Sequence, residues 1–177
     1  MPACYGDSSW RVLNGRNGCV KNVKMSIMSG VVRSVTAADR DRWVDLRGAL
    51  WPDAARDELG VEADAFLAGS GFMLEAVLVA CDASAVVGFA ELSLRPYAEG
   101  CTTTPVAYLE AWYVVPQRRG HGVGAALLAA AEAWARQRGC REFASDTAID
   151  NGVSAAAHAA LGFEEVEQIR CFRKRLA

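Results

Sequence analysis

The residues with the plainest chemical purpose form one stretch, Val114-Val115-Pro116-Gln117-Arg118-Arg119-Gly120-His121-Gly122-Val123-Gly124. It passes from an apolar, strand-like run through a turn of glycines and arginines into a helix-like run. Backbone N–H groups at a helix start have no partner within the helix, and glycine has no Cβ to hold a ligand off. Such a turn therefore suits phosphate oxygens. Glycines also serve tight turns that bind nothing. Alternating glycines at 120, 122 and 124 beside Arg118 and Arg119 point instead to a ligand that carries a pyrophosphate.

A second kind of chemistry belongs to carboxylates. Glu110 interrupts the apolar run Val106–Val115, and Asp146 closes the run from Arg141 to Ser145. A carboxylate among apolar strand residues is costly unless paired, so each requires a bound cation or a protein partner. The plain alternatives are a structural ion pair for Glu110 and a cap for Asp146. A carboxylate near a cationic ligand can also relieve an attacking amine of its proton.

The elements that position these groups read as a single α+β domain over residues 31–177. Val31–Val35 is strand-like, and Thr36 with Asp39 three residues later marks a helix start. Trp43, Leu46 and Leu50 recur at helical spacing until Pro52, so this helix ends near Trp51. A shorter helix covers Glu62 to Leu67. Ala76–Ala80 and Val86–Ala90 flank Asp82-Ala83-Ser84 as a hairpin. Val106–Val115 reads as a central strand covered on both faces. A helix follows with Val123, Leu127, Ala130 and Trp134 on one face and Gly139 as its stop. Arg141–Ser145, a helix from about Asn151 to Ala160, and β-type segments at Phe163–Val166 and Ile169–Phe172 complete the domain. Residues 1–30 show no sustained period and stay unassigned: a disordered extension, a partner-binding arm, or a translated leader ahead of Met25 or Met28.

Composition narrows the function. The chain has 177 residues, 52% hydrophobic and 23% charged, as soluble globular domains do. A net charge of -2 leaves no surplus of cations to neutralise a run of phosphates, so nucleic acid is not an expected partner. No run reaches the roughly 20 apolar residues of a membrane span, and no signal-peptide core is present, so a cytoplasmic address is expected. The six cysteines are scattered without metal-ligand spacing, which predicts reduced thiols, no disulfide framework and no metal.

Gly120-x-Gly122-x-x-Ala125 also fits a dinucleotide fingerprint, with Asp146 near the place of a ribose-binding acid. Too little chain follows Asp146 to complete that fold. Arg119-x-x-Gly122-x-Gly124 instead resembles the (Q/R)-x-x-G-x-(G/A) signature of the GNAT acetyltransferases. The resemblance implies a central mixed sheet flanked by helices, and acetyl-CoA as cosubstrate. It places Arg119, Gly120, His121, Gly122, Val123 and Gly124 at the pyrophosphate, backbone groups of Trp112, Tyr113 and Val114 along the pantetheine and thioester, and Asn151 at a further coenzyme contact. Leu161-Gly162-Phe163 matches the family's closing turn.

Leu50-Trp51-Pro52, Gly100-Cys101, Tyr108-Leu109-Glu110, Gly139-Cys140-Arg141-Glu142, Ala144-Ser145-Asp146-Thr147 and Phe172-Arg173-Lys174-Arg175 are similar to one subgroup, the aminoglycoside 6′-N-acetyltransferases. By that resemblance Trp51, Tyr97, Glu110, Asp146 and Glu167 line an antibiotic pocket, with Glu110 or Asp146 as proton acceptor and direct attack in a ternary complex. A homodimer is implied on the same ground. Trp51 also fits a plain core role. His158 stands where many family members carry a tyrosine that protonates the leaving thiolate, and both that role and simple packing remain open. Rival functions are acetylation of another amine, such as a polyamine or a protein N-terminus, and acyl-CoA sensing without catalysis.

Overall fold

A computed structural model describes residues 10–12, 30–71, 73–83 and 85–176. Ser84 of the expected hairpin turn, Cys4 and Cys19, and all of the N-terminal extension except 10–12 and Gly30 lie outside the described residues. The elements in chain order are β1 (Trp10–Val12), β2 (Gly30–Ser34), α1 (Arg40–Leu50), α2 (Arg56–Leu67), β3 (Ala76–Asp82), β4 (Ala85–Arg95), β5 (Val106–Val114), α3 (Val123–Gln137), β6 (Phe143–Ser145) and α4 (Gly152–Ala160). The six strands form one sheet in sequence order. Strands β2 to β5 are antiparallel neighbours, while β1 joins β2 and β6 joins β5 in parallel.

Both faces of the sheet are covered, which is why β3, β4 and β5 are apolar almost throughout. On one face α3 packs Val123, Leu127, Ala131 and Trp134 with Ala90, Leu92 and Leu109. On the other, Trp43 and Leu46 of α1 and Leu59 and Ala63 of α2 pack with Val77, Val79, Phe89 and Ala111. The register slips between Glu91 and Leu92 of β4: Glu91 pairs with Ala111 and Leu92 with Leu109, so Glu110 is the extra residue of a β-bulge.

The α1 start follows its sequence signal. Asp39 Oδ2 accepts from the Thr36 backbone N–H at 2.9 Å and from its hydroxyl at 2.7 Å, and Trp51 caps the other end. Three expectations change. Helix α2 begins six residues before Glu62, at Arg56, because Asp57 and Glu58 suit a helix N-terminus and Leu59 belongs to its buried face in spite of Gly60. Strand β4 runs to Arg95, past the expected Ala90, carrying Glu91 and Ser93 inside the protein. No strand forms at Phe163–Val166 or Ile169–Phe172: β6 is the last strand of the sheet, and Val166, Ile169 and Phe172 remain exposed without a ladder partner. In the extension, Trp10–Val12 pairs with Gly30–Val32, a strand that no periodicity signalled. No helix among the described residues is long and apolar enough to cross a membrane.

Candidate active site

Strand β6 accompanies β5 only through Ala107↔Phe143, Tyr108↔Ala144 and Leu109↔Ser145, although β5 continues to Val114. Beyond that register the two parallel strands separate and one edge of β5 is left unpaired. Val115 N–H donates to Val87 O at 2.9 Å. Because N–H and C=O of a strand residue point the same way and alternate along the chain, Tyr113 also faces β4, while Trp112 and Val114 face the gap. The Val114 carbonyl accepts from Arg119 Nε at 2.9 Å. Two of the three expected backbone contacts, Trp112 and Val114, thus have their amides on the open side. The Trp112 ring turns toward α3 and α4, 5.7 Å from His158, and the Tyr113 ring lies 6.4 Å from Phe89 on the opposite face.

At the end of β5, Pro116–Arg118 makes one short 3-10 turn, and Arg118 pairs with Asp82 at the end of β3. Gly120 and Gly122 have φ of 74° and 79°, a left-handed conformation that only glycine adopts without strain. Gly122 caps α3 with no side-chain bond, and Ala126 is the first amide bonded within the helix, to Gly122 O at 2.9 Å. The amides of Val123, Gly124 and Ala125 remain for an external acceptor. A Cβ on Gly120 would meet nothing within 4 Å, so the turn is open to a ligand. A Cβ on Gly124 would come 2.5 Å from Trp112 Cζ2, so this glycine also seats the indole. Arg119 serves from within, its guanidinium 5.4 Å from the Tyr113 ring centroid. Exposed His121 approaches Arg119 O through Nδ1 at 2.8 Å, and Val123 is core. Asn151 caps α4, accepting from Ser154 N–H at 3.1 Å. An anion-binding turn followed by an unpaired strand edge fits the pyrophosphate and pantetheine of acetyl-CoA.

The carboxylates stand at the mouth of the gap, one residue beyond the paired Leu109 and Ser145. Glu110 accepts from Arg95 Nη2 at 2.6 Å, from Arg95 Nε at 3.0 Å, and from Ser93 Oγ. Asp146 is exposed and makes no ion pair within the described residues. Beside it the Tyr108 hydroxyl is pushed up to about 12, first by burial and next by the Asp146 carboxylate. Arg95 lies over the Tyr108 ring, 3.4 Å from its centroid. His158 sits between Ser154 O, 2.8 Å from Nδ1, and Ser145 Oγ, 3.1 Å from Nε2, with Phe163 against its ring. It is a packed and hydrogen-bonded residue on the wall of the gap.

Trp51 is half-buried at the C-cap of α1, with the Arg47 guanidinium 5.2 Å from its ring, on the sheet face that α1 and α2 cover. Tyr97 is exposed on the loop after β4. Glu167 is exposed on the segment after α4 and bonds to no other described residue. Sequence reasoning missed Arg95, Ser93 and Tyr108. A period of two in polar residues, Glu91, Ser93 and Arg95, was the available signal for the first two.

The model of the acetyltransferase (GNAT) family matches residues 37–163. The chain belongs to that family. This GNAT chain is 53% identical over 150 residues to an aminoglycoside N(6′)-acetyltransferase type 1 of Klebsiella aerogenes, covering 84% of this chain and 98% of the relative. It is 47% identical to the protein of that description in Stenotrophomonas maltophilia, over 82% of this chain and 93% of the relative. Among solved structures, the aminoglycoside N-acetyltransferase AAC(6′)-Iy in complex with CoA superposes with a TM-score of 0.79 at 36% identity, over 85% and 98% of the two chains. AAC(6′)-Iy with a bisubstrate analogue, CoA-S-monomethyl-acetylneamine, gives 0.77 at 36%, over 83% and 99%.

Proposed function

We propose that this GNAT enzyme is an aminoglycoside 6′-N-acetyltransferase that conveys the acetyl group of acetyl-CoA to an antibiotic amine, conferring resistance. The observation that carries the proposal is the placing of two carboxylates, Glu110 and Asp146, where an unpaired strand edge begins. Acetyl-CoA supplies an activated acetyl group. The amides that open α3 hold its pyrophosphate, and the backbone of Trp112 and Val114 lines its pantetheine and polarises the thioester carbonyl. The acceptor is a polycation, drawn to an acidic cleft mouth, and its neutral 6′-amine attacks the thioester carbonyl directly within a ternary complex. The new C–N bond replaces the C–S bond, and CoA leaves as a thiolate that is protonated on release. Asp146 takes the proton, because Glu110 is already engaged by Arg95 and Ser93. Trp51 and Tyr97 form the walls for the sugar rings, and Glu167 adds charge to the outer rim.

Kinetics of Glu110→Gln and Asp146→Asn test this. A charge-assisted hydrogen bond to an ammonium group is worth about 1.5–3 kcal/mol, so each variant loses roughly 10- to 150-fold in kcat/KM for a kanamycin-type acceptor. The KM for acetyl-CoA stays within about twofold. Asp146→Asn also loses kcat, partly regained as rising pH supplies free amine. Wild-type kcat/KM in both variants, or equal CoA release with acceptors lacking the 6′-amine, defeats the assignment.

A cytoplasmic location accords with the need for acetyl-CoA. We also propose a homodimer, supported by the exposed Ile169, Phe172 and Leu176 on the segment after α4. Light scattering behind size exclusion checks it, with a single-chain mass as the contrary result.

A further inference from the structure

Two buried or half-buried arginine–glutamate pairs occupy the α1/α2 face of the sheet, and they are built differently. Arg47 and Glu91 are 7% and 3% exposed, with Nε 2.9 Å from Oε1. Arg47 is also held by Leu59 O at 3.0 Å, by Glu62, and by the indoles of Trp43 and Trp51. That pair is part of the core. Arg95 and Glu110 are 38% and 21% exposed. Arg95 ends β4 and, among the described residues, bonds to no backbone carbonyl and has the Glu110 carboxylate and the Tyr108 ring as its anchors. Its guanidinium can swing into solvent without opening the core.

We propose that Arg95 determines acceptor specificity: its guanidinium holds the position on Glu110 that an acceptor ammonium takes, and the acceptor must displace it. This rests on the proposed aminoglycoside pocket. A tethered cation competes at an effective concentration on the order of millimolar, set by its short stem. A monoamine at a lower concentration does not dislodge it. An acceptor with several ammonium groups does, because its other charges are held elsewhere in the cleft, Asp146 among them, while the first takes Glu110. The pair thus screens acceptors by charge number. Its contact with solvent keeps exchange easy, since a partly exposed ion pair contributes little net stability.

The experiment compares Arg95→Gln, Arg95→Lys, Glu110→Gln and the double variant Arg95→Gln/Glu110→Gln, each checked by circular dichroism and thermal unfolding. Acceptor KM is measured with a kanamycin-type aminoglycoside and with a simple monoamine at two ionic strengths. Arg95→Gln is expected to lower the aminoglycoside KM about two- to fivefold, to make it more salt-dependent because Glu110 is uncovered, and to bring monoamine turnover into range. Arg95→Lys, a weaker one-point partner, falls between. The double variant regains part of what Glu110→Gln loses, since that single change leaves a guanidinium facing the ammonium. A raised or unchanged aminoglycoside KM in Arg95→Gln, with Glu110→Gln still impaired, overturns the exchange role and makes Arg95 a positioning residue. Wild-type kinetics in Glu110→Gln would instead remove the pocket itself. Should Arg95→Gln not fold, the same sign of change in Arg95→Lys decides.

Discussion

Glu91 shows how a single side chain ties stability to pH. It lies under the bulge of β4 and β5, bonded by Trp43 Nε1–H at 2.8 Å, and burial pushes its carboxyl from the ordinary 4.5 to about 7 despite Arg47. The folded protein therefore binds more protons than the unfolded chain between those two values. The Glu91 contribution is complete below about pH 4.5 and is lost as pH rises through about 7. Glu91→Gln does not titrate. Its stability relative to wild type should improve from pH 5 to pH 7.5 and then level off, as paired urea titrations would register; a constant difference would contradict it. The same residue explains a gap in what the sequence conveyed. Glu91, Ser93 and Arg95 lie past the Ala90 at which the hairpin strand was expected to end, and their partners, Trp43, Arg47 and Glu110, come from distant elements. Glu110 was legible for the opposite reason, as one charge in an otherwise apolar run.

At the scale of elements, local signals succeeded where the partners were local. Thr36 and Asp39 announced α1, and Asn151 announced α4. Arg33 holds the Asp39 carboxyl well below its usual range, with bonds of 2.7 and 2.8 Å. This depressed acid contributes stability above its unfolded pKa and loses it as pH falls, so Asp39→Asn should cost about 1–3 kcal/mol at pH 7 and progressively less below pH ~4. An equal loss at pH 3 would be inconsistent with it. The glycine turn separates two kinds of glycine. Gly120→Ala meets only the strain of positive φ, about 1–2 kcal/mol, without a clash. Gly124→Ala drives a Cβ into the Trp112 ring, so it should lower both the melting temperature and acetyl-CoA affinity more than Gly120→Ala does. Thermal unfolding and acetyl-CoA KM for the two variants would show the order, and the reverse order would refute it. Helix α2 was underestimated because Gly60 interrupts its pattern, yet that glycine lies beneath the Arg40 guanidinium, where a Cβ would come 2.9 Å from Nη2.

For the whole molecule, the order of strands and helices was readable because the antiparallel hairpins connect neighbours in sequence. Both ends were not. Trp10–Val12 joins the sheet by a parallel pairing far along the chain, and the apolar residues after α4 look like strands but find no ladder partner among the described residues. Since β1 is a three-residue edge strand, a chain beginning at Met28 should keep its turnover and lose only a few degrees of melting temperature. Failure to fold would make the extension part of the core.

The early parting of β6 from β5 also marks the protein for hydrogen exchange. Along Trp112, Tyr113 and Val114 the central amide is tied into the β4 ladder, while its two neighbours face the gap. In the free enzyme the amides of Trp112 and Val114 should trade deuterium far faster than that of Tyr113, an alternation inside one strand at the centre of the fold. Acetyl-CoA should erase it, slowing the two outer amides toward the rate of the middle one. The strand then behaves as though the sheet had gained a neighbour, which lets cosubstrate occupancy be followed residue by residue without an acceptor or a turnover.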